Sequence, residues 1–479
     1  MLYYYITDLL IVKIMAYSLA LIRINSIREM KKINWIILLM GILGSMEASS
    51  QVKQWTLADC INYAVTNNIG LQRQKLQRET AETNYLKSKM DFLPSLNFES
   101  DANMGFGRSV NPVTNLITFK QNFSNSYSLN SNLELFTGLA ALNTMAANKF
   151  MLKAGIESEK IVRNTLVIDI LGQYYKVLYA KGLENVSKMQ LDLSENQLFR
   201  ITKMVETGKE ALSRQYEMES RVSADRLDYT IAHNSSNQAL TTLKQMLQLE
   251  PGLEFDLFVP DLSDMIITDG TYRSDSVYAI ASEILPRLKE IDFELQAAKK
   301  QFAASKGYVA PRLTAGGAIF TGYYKVMNET DIEQPSFTTQ LKNNNSQAVY
   351  LALQIPLFNR YSTGRDIKLA KIKRDDTALR LQQEKNNLYT EIENACLDYN
   401  RGKDEFLAAK SNLEYNKKSF RAVEKKFESG LVDVTDYSAA QTNLYRAEAE
   451  AVRTKLEVMI RKLTIQLYST GEYENLIYN

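Results

Sequence analysis

The amino-acid sequence predicts a mainly α-helical chain with long antiparallel coiled-coil hairpins and four β-strands, which form a membrane β-barrel only when several copies assemble. Three observations lead to this fold class. The chain contains an internal repeat, its apolar residues follow coiled-coil spacing over very long segments, and four short segments alternate between apolar and polar residues. The composition agrees, because only 8 Pro and 20 Gly in 479 residues favour long helices over a loop-rich fold.

The internal repeat is visible as short words of the first half that return, in the same order, in the second half. The matching words are LPSL at 93–96 with APRL at 310–313, LELF at 133–136 with IPLF at 355–358, and VETG at 205–208 with FESG at 427–430. Their numbering offsets are 310 − 93 = 217, 355 − 133 = 222 and 427 − 205 = 222. A single four-residue match arises easily by chance, but three in order at a consistent offset indicate two copies of one structural unit.

The repeat sets the predicted organisation of the chain. We place the first repeat at 51–250, a linker at 251–275, the second repeat at 276–470 and a C-terminal tail at 471–479. Residues 1–50 are predicted to be an N-terminal extension followed by a secretory signal peptide.

The signal peptide is indicated by a basic start and a short apolar run. Met30, Lys31 and Lys32 precede the apolar residues 35–44, and small residues at 48–50 offer a cleavage site. The alternative interpretation of the N-terminus is a true membrane anchor. After residue 50 no run of about 20 apolar residues occurs, so no membrane-spanning helix is predicted there.

A coiled-coil seam follows from apolar or small residues that recur in alternating steps of four and three. In the second half the seam comprises Leu388, Ile392, Ala395, Tyr399, Gly402, Phe406, Ala409, Leu413, Asn416, Phe420, Val423 and Phe427. The equivalent positions of the first half repeat it with some polar substitutions. The core of an ordinary helical bundle shows similar spacing. However, residues 364–427 contain no Pro and, as one helix, reach on the order of 95 Å, which favours a coiled coil.

A glycine at the end of each long helix predicts a hairpin turn. Gly430 precedes a returning helix at about 433–468 that keeps the same rhythm of apolar residues. Gly208 occupies the matching position of the first half. Each repeat therefore supplies one long helical hairpin with a tip at its glycine.

Between the Pro-containing words and the LF words, the period of the sequence changes from helical to two. We predict strands at about 96–107 and 126–136 in the first repeat and at about 313–324 and 348–358 in the second. The strand boundaries are marked by Pro94, Pro311, Phe136, Pro356 and Phe358. One face of each strand is apolar and the other is mostly polar or small, which suits either a half-buried soluble sheet or a membrane barrel with a wet lumen.

The number of strands limits how they can be used. Four strands leave two exposed edges, and a bilayer does not tolerate unpaired edge groups. The position of each strand pair between very long helices disfavours an ordinary soluble sheet. A membrane barrel would need several copies of the chain, and three copies would supply twelve strands.

Charge and motifs argue against nucleic-acid binding and catalysis. Residues 1–50 hold five Lys/Arg and three Asp/Glu, so the remainder has 57 − 5 = 52 against 55 − 3 = 52, a net charge of zero. The lone His233 lies in a polar stretch, as expected of a solvated helix position, and the distant Cys60 and Cys396 do not predict a disulfide. We find no catalytic, metal-binding or cofactor-binding motif.

The combined pattern resembles that of the TolC-like outer-membrane efflux proteins. The segment WTLADCINYAVTNNIGLQ at 55–72 is similar to the opening helix of that family. The LPSL word, the doubled LF words and the glycines of the two tips are also similar. The resemblance covers residues 52–470, and its specificity comes from the order, doubling and spacing of motifs that are each weak alone.

The resemblance implies a homotrimer with a twelve-stranded barrel in the outer-membrane lipid and a helical tunnel in the periplasm. It also implies partners, namely a periplasmic adaptor protein and an inner-membrane pump, that meet the channel at its tips near Gly208 and Gly430. The substrate passes through unchanged. Drug efflux and protein secretion both remain open, and a coiled-coil scaffold or adhesin without a pore is the alternative from another class.

The resemblance also suggests residues for the channel constriction. The family often has acidic residues six and nine positions after the second tip glycine, and here these positions are Asp436 and Ala439. Asp436 is thus the predicted constriction acid, and Phe427 is the next candidate. The polar latch expected at the tip is altered, because Phe427 and Val432 replace its tyrosine and arginine, and Arg214 replaces an aspartate of the first tip. The sequence therefore leaves open how the tip closes, and an apolar latch is one alternative.

Overall fold

The structure is a computed structural model that describes residues 54–110, 115, 117–250, 252–253, 255–258, 271–327 and 335–471. The predicted extension and signal peptide (1–50) lie outside the described residues, as do most of the linker and the tail after Gly471. Two compact units are distinguished, one of Trp55–Leu253 and Leu257–Asn479 and the other of Met1–Gln54 and Glu254–Asp256. All long helices and long strands belong to the first unit.

Within the described residues, the first half of the chain contains four helices and five strands. In chain order they are β1 (Gln54–Trp55), α1 (Leu57–Asn67), α2 (Ile69–Met90), β2 (Ser95–Gly105), β3 (Ser109–Val110), β4 (Ile117–Thr118), β5 (Asn122–Phe136), α3 (Ala140–Glu206) and α4 (Leu212–Leu247). A capping box of Thr56 and Asp59 starts α1, and the Asn68 side chain caps α2.

Within the described residues, the second half repeats this order, except that one short helix stands where the first half has the short strands β3 and β4. Its elements are β6 (Asp256–Leu257), α5 (Ser274–Ile284), α6 (Pro286–Gly307), β7 (Arg312–Val326), α7 (Phe337–Asn343), β8 (Ser346–Gln354), α8 (Ser362–Glu428) and α9 (Val434–Thr470). No helix in the described ranges is both long and apolar enough to cross a membrane.

Equivalent helices of the two halves have matching lengths. α1 and α5 have 11 residues each, α2 and α6 have 22 each, and α3 and α8 have 67 each. The offsets between their first residues are 274 − 57 = 217, 286 − 69 = 217 and 362 − 140 = 222. The structure thus carries the same elements at the offsets read from the sequence words.

The four long strands form one antiparallel sheet in the order β2-β5-β7-β8. Pro94 and Pro311 directly precede β2 and β7, as expected for residues that cannot continue a helix. The last predicted strand, 348–358, ends earlier, at Gln354. Pro356 has no N–H to donate to a neighbouring strand, so it and Phe358 lie beyond the sheet rather than at its end.

Two features of the sheet region were not predicted from the sequence. The short strands β3 and β4 pair with each other between β2 and β5. The short helix α7 precedes β8 and packs on β7. Both follow from tertiary contacts rather than from a local sequence period.

The elements are arranged in rows of four. Next to the sheet, the helices pack in the order α2-α3-α6-α8, and towards the tips they pack in the order α4-α3-α9-α8. α3 and α8 belong to both helical rows because each extends about 100 Å at the usual rise per residue. Every row has two open ends, just as the sheet has open edges at β2 and β8.

The predicted seam forms the interior of the second helical hairpin. Leu388, Ile392 and Tyr399 of α8 are at most 1% exposed and pack with Val458 and Ile465 of α9 and with residues of α5 and α6. The small seam residue Gly402 faces α9, where an added Cβ would lie 3.3 Å from the Val458 side chain and would displace the Arg461 guanidinium group. Cys60 and Cys396 are both buried free thiols.

Two glycines allow the helical rows to join the sheet. Gly138, between β5 and α3, has a φ of 63°, and Gly307 ends α6 just before β7. A Cβ on Gly307 would lie 2.4 Å from the Gly138 carbonyl oxygen and 2.9 Å from the Ala140 nitrogen. Backbone meets backbone here, so the contact cannot be relieved by turning a side chain.

We therefore expect Gly307→Ala to destabilise the protein by about 1–3 kcal/mol, since the added methyl group must push two backbone segments apart. Thermal unfolding of the purified protein, followed by circular dichroism, measures the effect. Gly172→Ala in α3 is the matched control, because no atom lies within 4 Å of its added Cβ. Equal unfolding temperatures for the two variants would contradict the close approach of the backbones.

Candidate functional site

The two hairpin tips share one turn geometry. After α3, the Gly208 N–H donates to Val205 and the Lys209 N–H to Met204, at 3.0 and 2.8 Å. After α8, the N–H groups of Gly430 and Leu431 make the equivalent bonds, also at 3.0 and 2.8 Å. Gly208 and Gly430 have φ values of 73° and 71°, a conformation that favours glycine at the end of a helix.

A shared apolar cluster joins the two tips inside the protomer. It consists of Ile201, Met218, Phe420, Phe427, Val434 and Tyr437, which come from α3, α4, α8 and α9. The rings of Phe427 and Tyr437 stack with their centroids 4.6 Å apart. Burial raises the pKa of the Tyr437 hydroxyl, so the ring remains neutral and packs as part of the core.

Arg214 of the first hairpin reaches across to the second tip. Its Nη2 donates to the Val432 carbonyl oxygen at 2.9 Å, and its guanidinium carbon lies 5.2 Å from the Phe427 ring centroid. Its Nη1 bonds Glu210 at 2.6 Å, which fixes the side chain from its own tip. Arg214 therefore contacts both positions at which the expected latch residues are replaced, and the contact between the two hairpins at the tip is partly polar.

Further polar contacts connect the hairpins around this point. Arg200 of α3 pairs with Glu428 of α8 at 2.7 Å on the surface. Deeper in the tip, Arg221 of α4 donates to the Thr442 hydroxyl of α9 at 2.9 Å and pairs with Asp225 at 3.0 Å. Burial raises the pKa of Asp225, whereas Arg221 opposes that shift.

The predicted constriction acid lies on the surface of the tip. Asp436 is in the first turn of α9, and its backbone N–H donates to the Asp433 side chain at 2.8 Å. Asp436 is exposed. Its position also fits an ordinary first-turn acid that is stabilised by the helix dipole.

Phe427, the other constriction candidate, is only 8% exposed. Tyr437 and Arg214 cover its ring from within the same protomer. Within the protomer, Phe427 thus packs between the two hairpins of the tip. Its predicted place at the channel constriction stays a prediction.

An open groove lies beside the tips. It has a volume of about 480 Å³, and its lining includes Phe199, Met204 and Phe427 together with charged residues of both hairpins. Phe199 is 65% exposed, although it is a large apolar residue on a helix surface. An exposed apolar groove with a charged border has the character of a protein-docking surface.

The lone histidine lies away from this site. His233 Nδ1 is 2.7 Å from Glu184 Oε1, and Nε2 is 3.0 Å from the Asn237 amide. The side chain is half exposed and links α4 to α3.

Comparisons with known proteins agree on one fold. The sequence profile described as "Outer membrane efflux protein" matches residues 60–248 and 278–469, which correspond to the two repeats. No curated protein sequence matches the chain. Among solved structures, the chain is similar to the CmeC outer membrane channel of Campylobacter jejuni at 15% identity and a TM-score of 0.72, covering 87% of this chain and 86% of that one.

Two further solved structures are similar over nearly their full lengths. VceC, an outer membrane protein of Vibrio cholerae, has 12% identity and a TM-score of 0.70, with 87% of this chain and 96% of that chain covered. The MtrE outer membrane channel of Neisseria gonorrhoeae, in its open state, has 15% identity and a TM-score of 0.68, with 87% and 89% covered. Because the profile match spans most of the sequence and the fold agrees, this chain belongs to the outer membrane efflux protein family.

Proposed function

We propose that three copies of this chain form one outer-membrane channel, which docks through its tips to a periplasmic adaptor and inner-membrane pump and conducts substrate outward without catalysing a reaction. The observation that carries this proposal is that every row of elements in the protomer ends in open edges. Membership of an efflux-channel family supports it.

The sheet has the two faces expected of a barrel wall. On one face, Val349, Leu351 and Leu353 of β8 are 91%, 71% and 65% exposed, as expected for side chains that face lipid. The register places Leu313 and Ile319 of β7 on the same face. A coiled-coil scaffold without a pore gives no reason for such an exposed apolar face.

The opposite face of the sheet is polar and suits a lumen. Its residues on β5 are Ser124, Ser126, Ser128, Asn130, Asn132 and Glu134. On the same face Tyr350 lies across Gly316 and its hydroxyl bonds the Asn132 side chain. Because Gly316 has no side chain, the Tyr350 ring can lie over it and connect β8, β7 and β5 on the lumen side.

The edge helices carry matching apolar stripes for association between copies. On α4, Leu212, Tyr216, Leu227 and Ile231 are 51–61% exposed; on the part of α8 nearer the tip, Leu397 and Tyr415 are 61% and 69% exposed. The spacing within each stripe returns to one helix face, opposite the buried residues. Since α4 and α8 are the two ends of one helical row, a ring of three copies places these stripes against each other.

The contact between the two stripes can be tested through the mass of the assembly. Leu227 lies about four helical turns after the start of α4 and Tyr415 about four turns before the end of α8, so the two stripes meet at similar heights above the tip. We expect wild-type protein in detergent to have the native mass of a trimer. The double variant Leu227→Lys and Tyr415→Lys should shift the native mass towards that of the monomer, because association would bury two charged ammonium groups in an apolar contact.

Leu431→Lys is the control, since Leu431 is 75% exposed but lies in the tip turn, outside the row contact. It should remain trimeric. Wild-type protein that is monomeric and soluble without detergent would exclude the proposed channel.

The second prediction concerns docking at the tips. Gly430→Trp should abolish transport and leave the trimer intact, because the ring would project from the turn where no atom lies within 4 Å of the added Cβ. Gly107→Trp is the matched control: Gly107 also has positive φ, 102°, and open space, but lies in the β2–β3 connection. Drug resistance of, or secretion by, cells that carry each variant provides the readout. Normal resistance or secretion with Gly430→Trp would argue against docking at this turn.

The third prediction concerns the constriction. Three copies would bring three Asp436 carboxylates to one axis, and such a ring attracts cations, as acidic rings do in channels. Asp436→Asn should weaken cation selectivity and block by multivalent cations in planar-bilayer recordings. Asp433→Asn is the control, because it removes a nearby exposed charge while asparagine still caps α9. Unchanged selectivity in an Asp436→Asn channel that inserts normally would leave Asp436 as a helix-start residue.

A further inference from the structure

On the lipid-facing side of the sheet, an aromatic cluster lies at the strand ends that are far from the long helices. Phe123 of β5 and Tyr323 of β7 lie with ring centroids 6.3 Å apart, and Phe337 of α7 lies 5.1 Å from Tyr323. From Leu313 to Tyr323 the tilted strand rises about 25 Å, which is the height of the apolar band of a membrane barrel. The aromatic cluster therefore marks the outer boundary of the hydrocarbon region.

The helix α7 is held rigidly at this boundary. The buried Gln340 side chain accepts from the Tyr324 N–H at 3.0 Å and donates to the Tyr324 carbonyl oxygen at 2.9 Å. Asn344 donates to the Gly322 carbonyl oxygen at 2.8 Å. These amides occupy the edge of β7 above the first residue of β8, so α7 takes the place of a strand and fixes the outer rim.

Four basic residues lie in the described part of this rim. We define the outer rim as residues 105–110, 115, 117–123, 320–327 and 335–347, which contain Arg108, Lys120, Lys325 and Lys342. All four basic residues are exposed. The intervening stretch 328–334, which lies outside the described residues, adds Glu329, Asp331 and Glu333 to the sequence of this region.

The register of β7 determines which side of the sheet Lys325 occupies. It pairs in register with Phe123, so it shares the lipid-facing side of the sheet, two residues beyond Tyr323. A lysine on this face is costly at the bilayer midplane but is tolerated at the interface, where the ammonium group reaches the headgroups. The sheet's acids Glu99, Asp101 and Glu134 lie on the opposite, lumen face. Of the two basic residues in the four long strands, Arg312 lies on the lumen face with these acids, whereas Lys325 lies on the lipid-facing side.

From this arrangement we propose that the outer rim binds the phosphate groups of lipid A, the phosphorylated glycolipid of the outer leaflet. The exposed ammonium and guanidinium groups of Lys325, Lys342 and Arg108 would donate charge-assisted hydrogen bonds to the phosphates, while the aromatic cluster contacts the upper acyl chains. The inference rests on the trimeric barrel proposed above, in which three copies of the rim surround the channel mouth.

The test is lipid binding by the full-length mature trimer in detergent, measured by native mass spectrometry with bisphosphorylated lipid A and with lipid A whose phosphates have been removed. Wild type should bind the phosphorylated form about tenfold more tightly or better, the factor expected when at least one charge-assisted contact is lost. The triple variant Arg108→Gln, Lys325→Gln and Lys342→Gln should lose this preference.

The control triple variant is Lys188→Gln, Lys300→Gln and Lys410→Gln, which removes three exposed charges from the periplasmic helices. It should keep the wild-type preference. Equal binding of the two lipids by wild type, an unchanged preference in the rim variant, or equal loss in the control would each overturn the inference. The same spectra report the trimer mass, so a failure of assembly is distinguished from a failure of lipid binding, and the wild-type comparison of the two lipids needs no variant.

Discussion

The structure depends on one constraint: main-chain N–H and C=O groups within a bilayer must all be paired. A sheet of four strands with open edges at β2 and β8 does not satisfy this requirement within one chain. The same incompleteness recurs in the helical rows, which end at α2 and α8 and at α4 and α8. Because every row has the same number of members and α8 bounds both helical rows, one rotation that closes the sheet also closes the helices. The protomer is thus folded as one third of the channel wall proposed above.

The two 67-residue helices extend this arrangement in rows of four from the sheet to the tips. α3 and α8 start just beyond the sheet and end at the tips, so each belongs to both helical rows. Their starts depend on the close approach of Gly138 and Gly307, whereas their ends depend on the left-handed turns at Gly208 and Gly430. Between these points the seam carries small or polar residues where helices approach closely, as at Gly402, so helix spacing is set by side-chain size.

Much of this fold could be predicted from the sequence because its signals are local. The seam from Leu388 to Phe427 indicated the long helix, and the words around Gly208 and Gly430 indicated the turns. The end of β8 was placed too late, because alternation continued to Phe358 although Pro356 cannot pair. The helix α7 is shorter than two heptads and depends on the contact of Gln340 with Tyr324, so it had no periodic signal to detect.

The tip could be located from the sequence, but its contacts could not. Arg214 was identified only as a departure from the family pattern, since nothing local indicates a bond to a carbonyl group in the other half of the chain. Phe427 was recognised as the last residue of the seam, but its enclosure by Tyr437 and Arg214 could not be predicted from the sequence. Glycine spacing fixes where a chain turns, but which side chain fills the space behind the turn is decided by the other half of the molecule.

The internal repeat has a consequence for the symmetry that a partner meets. Three copies, each with two equivalent hairpins, present six backbone turns of nearly identical shape around the axis, since the Gly208 and Gly430 turns make the same hydrogen bonds. The side chains at the sixth position after those glycines do not follow this pseudo-sixfold order. Arg214 is turned inward against Phe427, whereas Asp436 remains exposed. A protein partner that binds the turns would meet six nearly equivalent positions, whereas a cation would meet three Asp436 carboxylates.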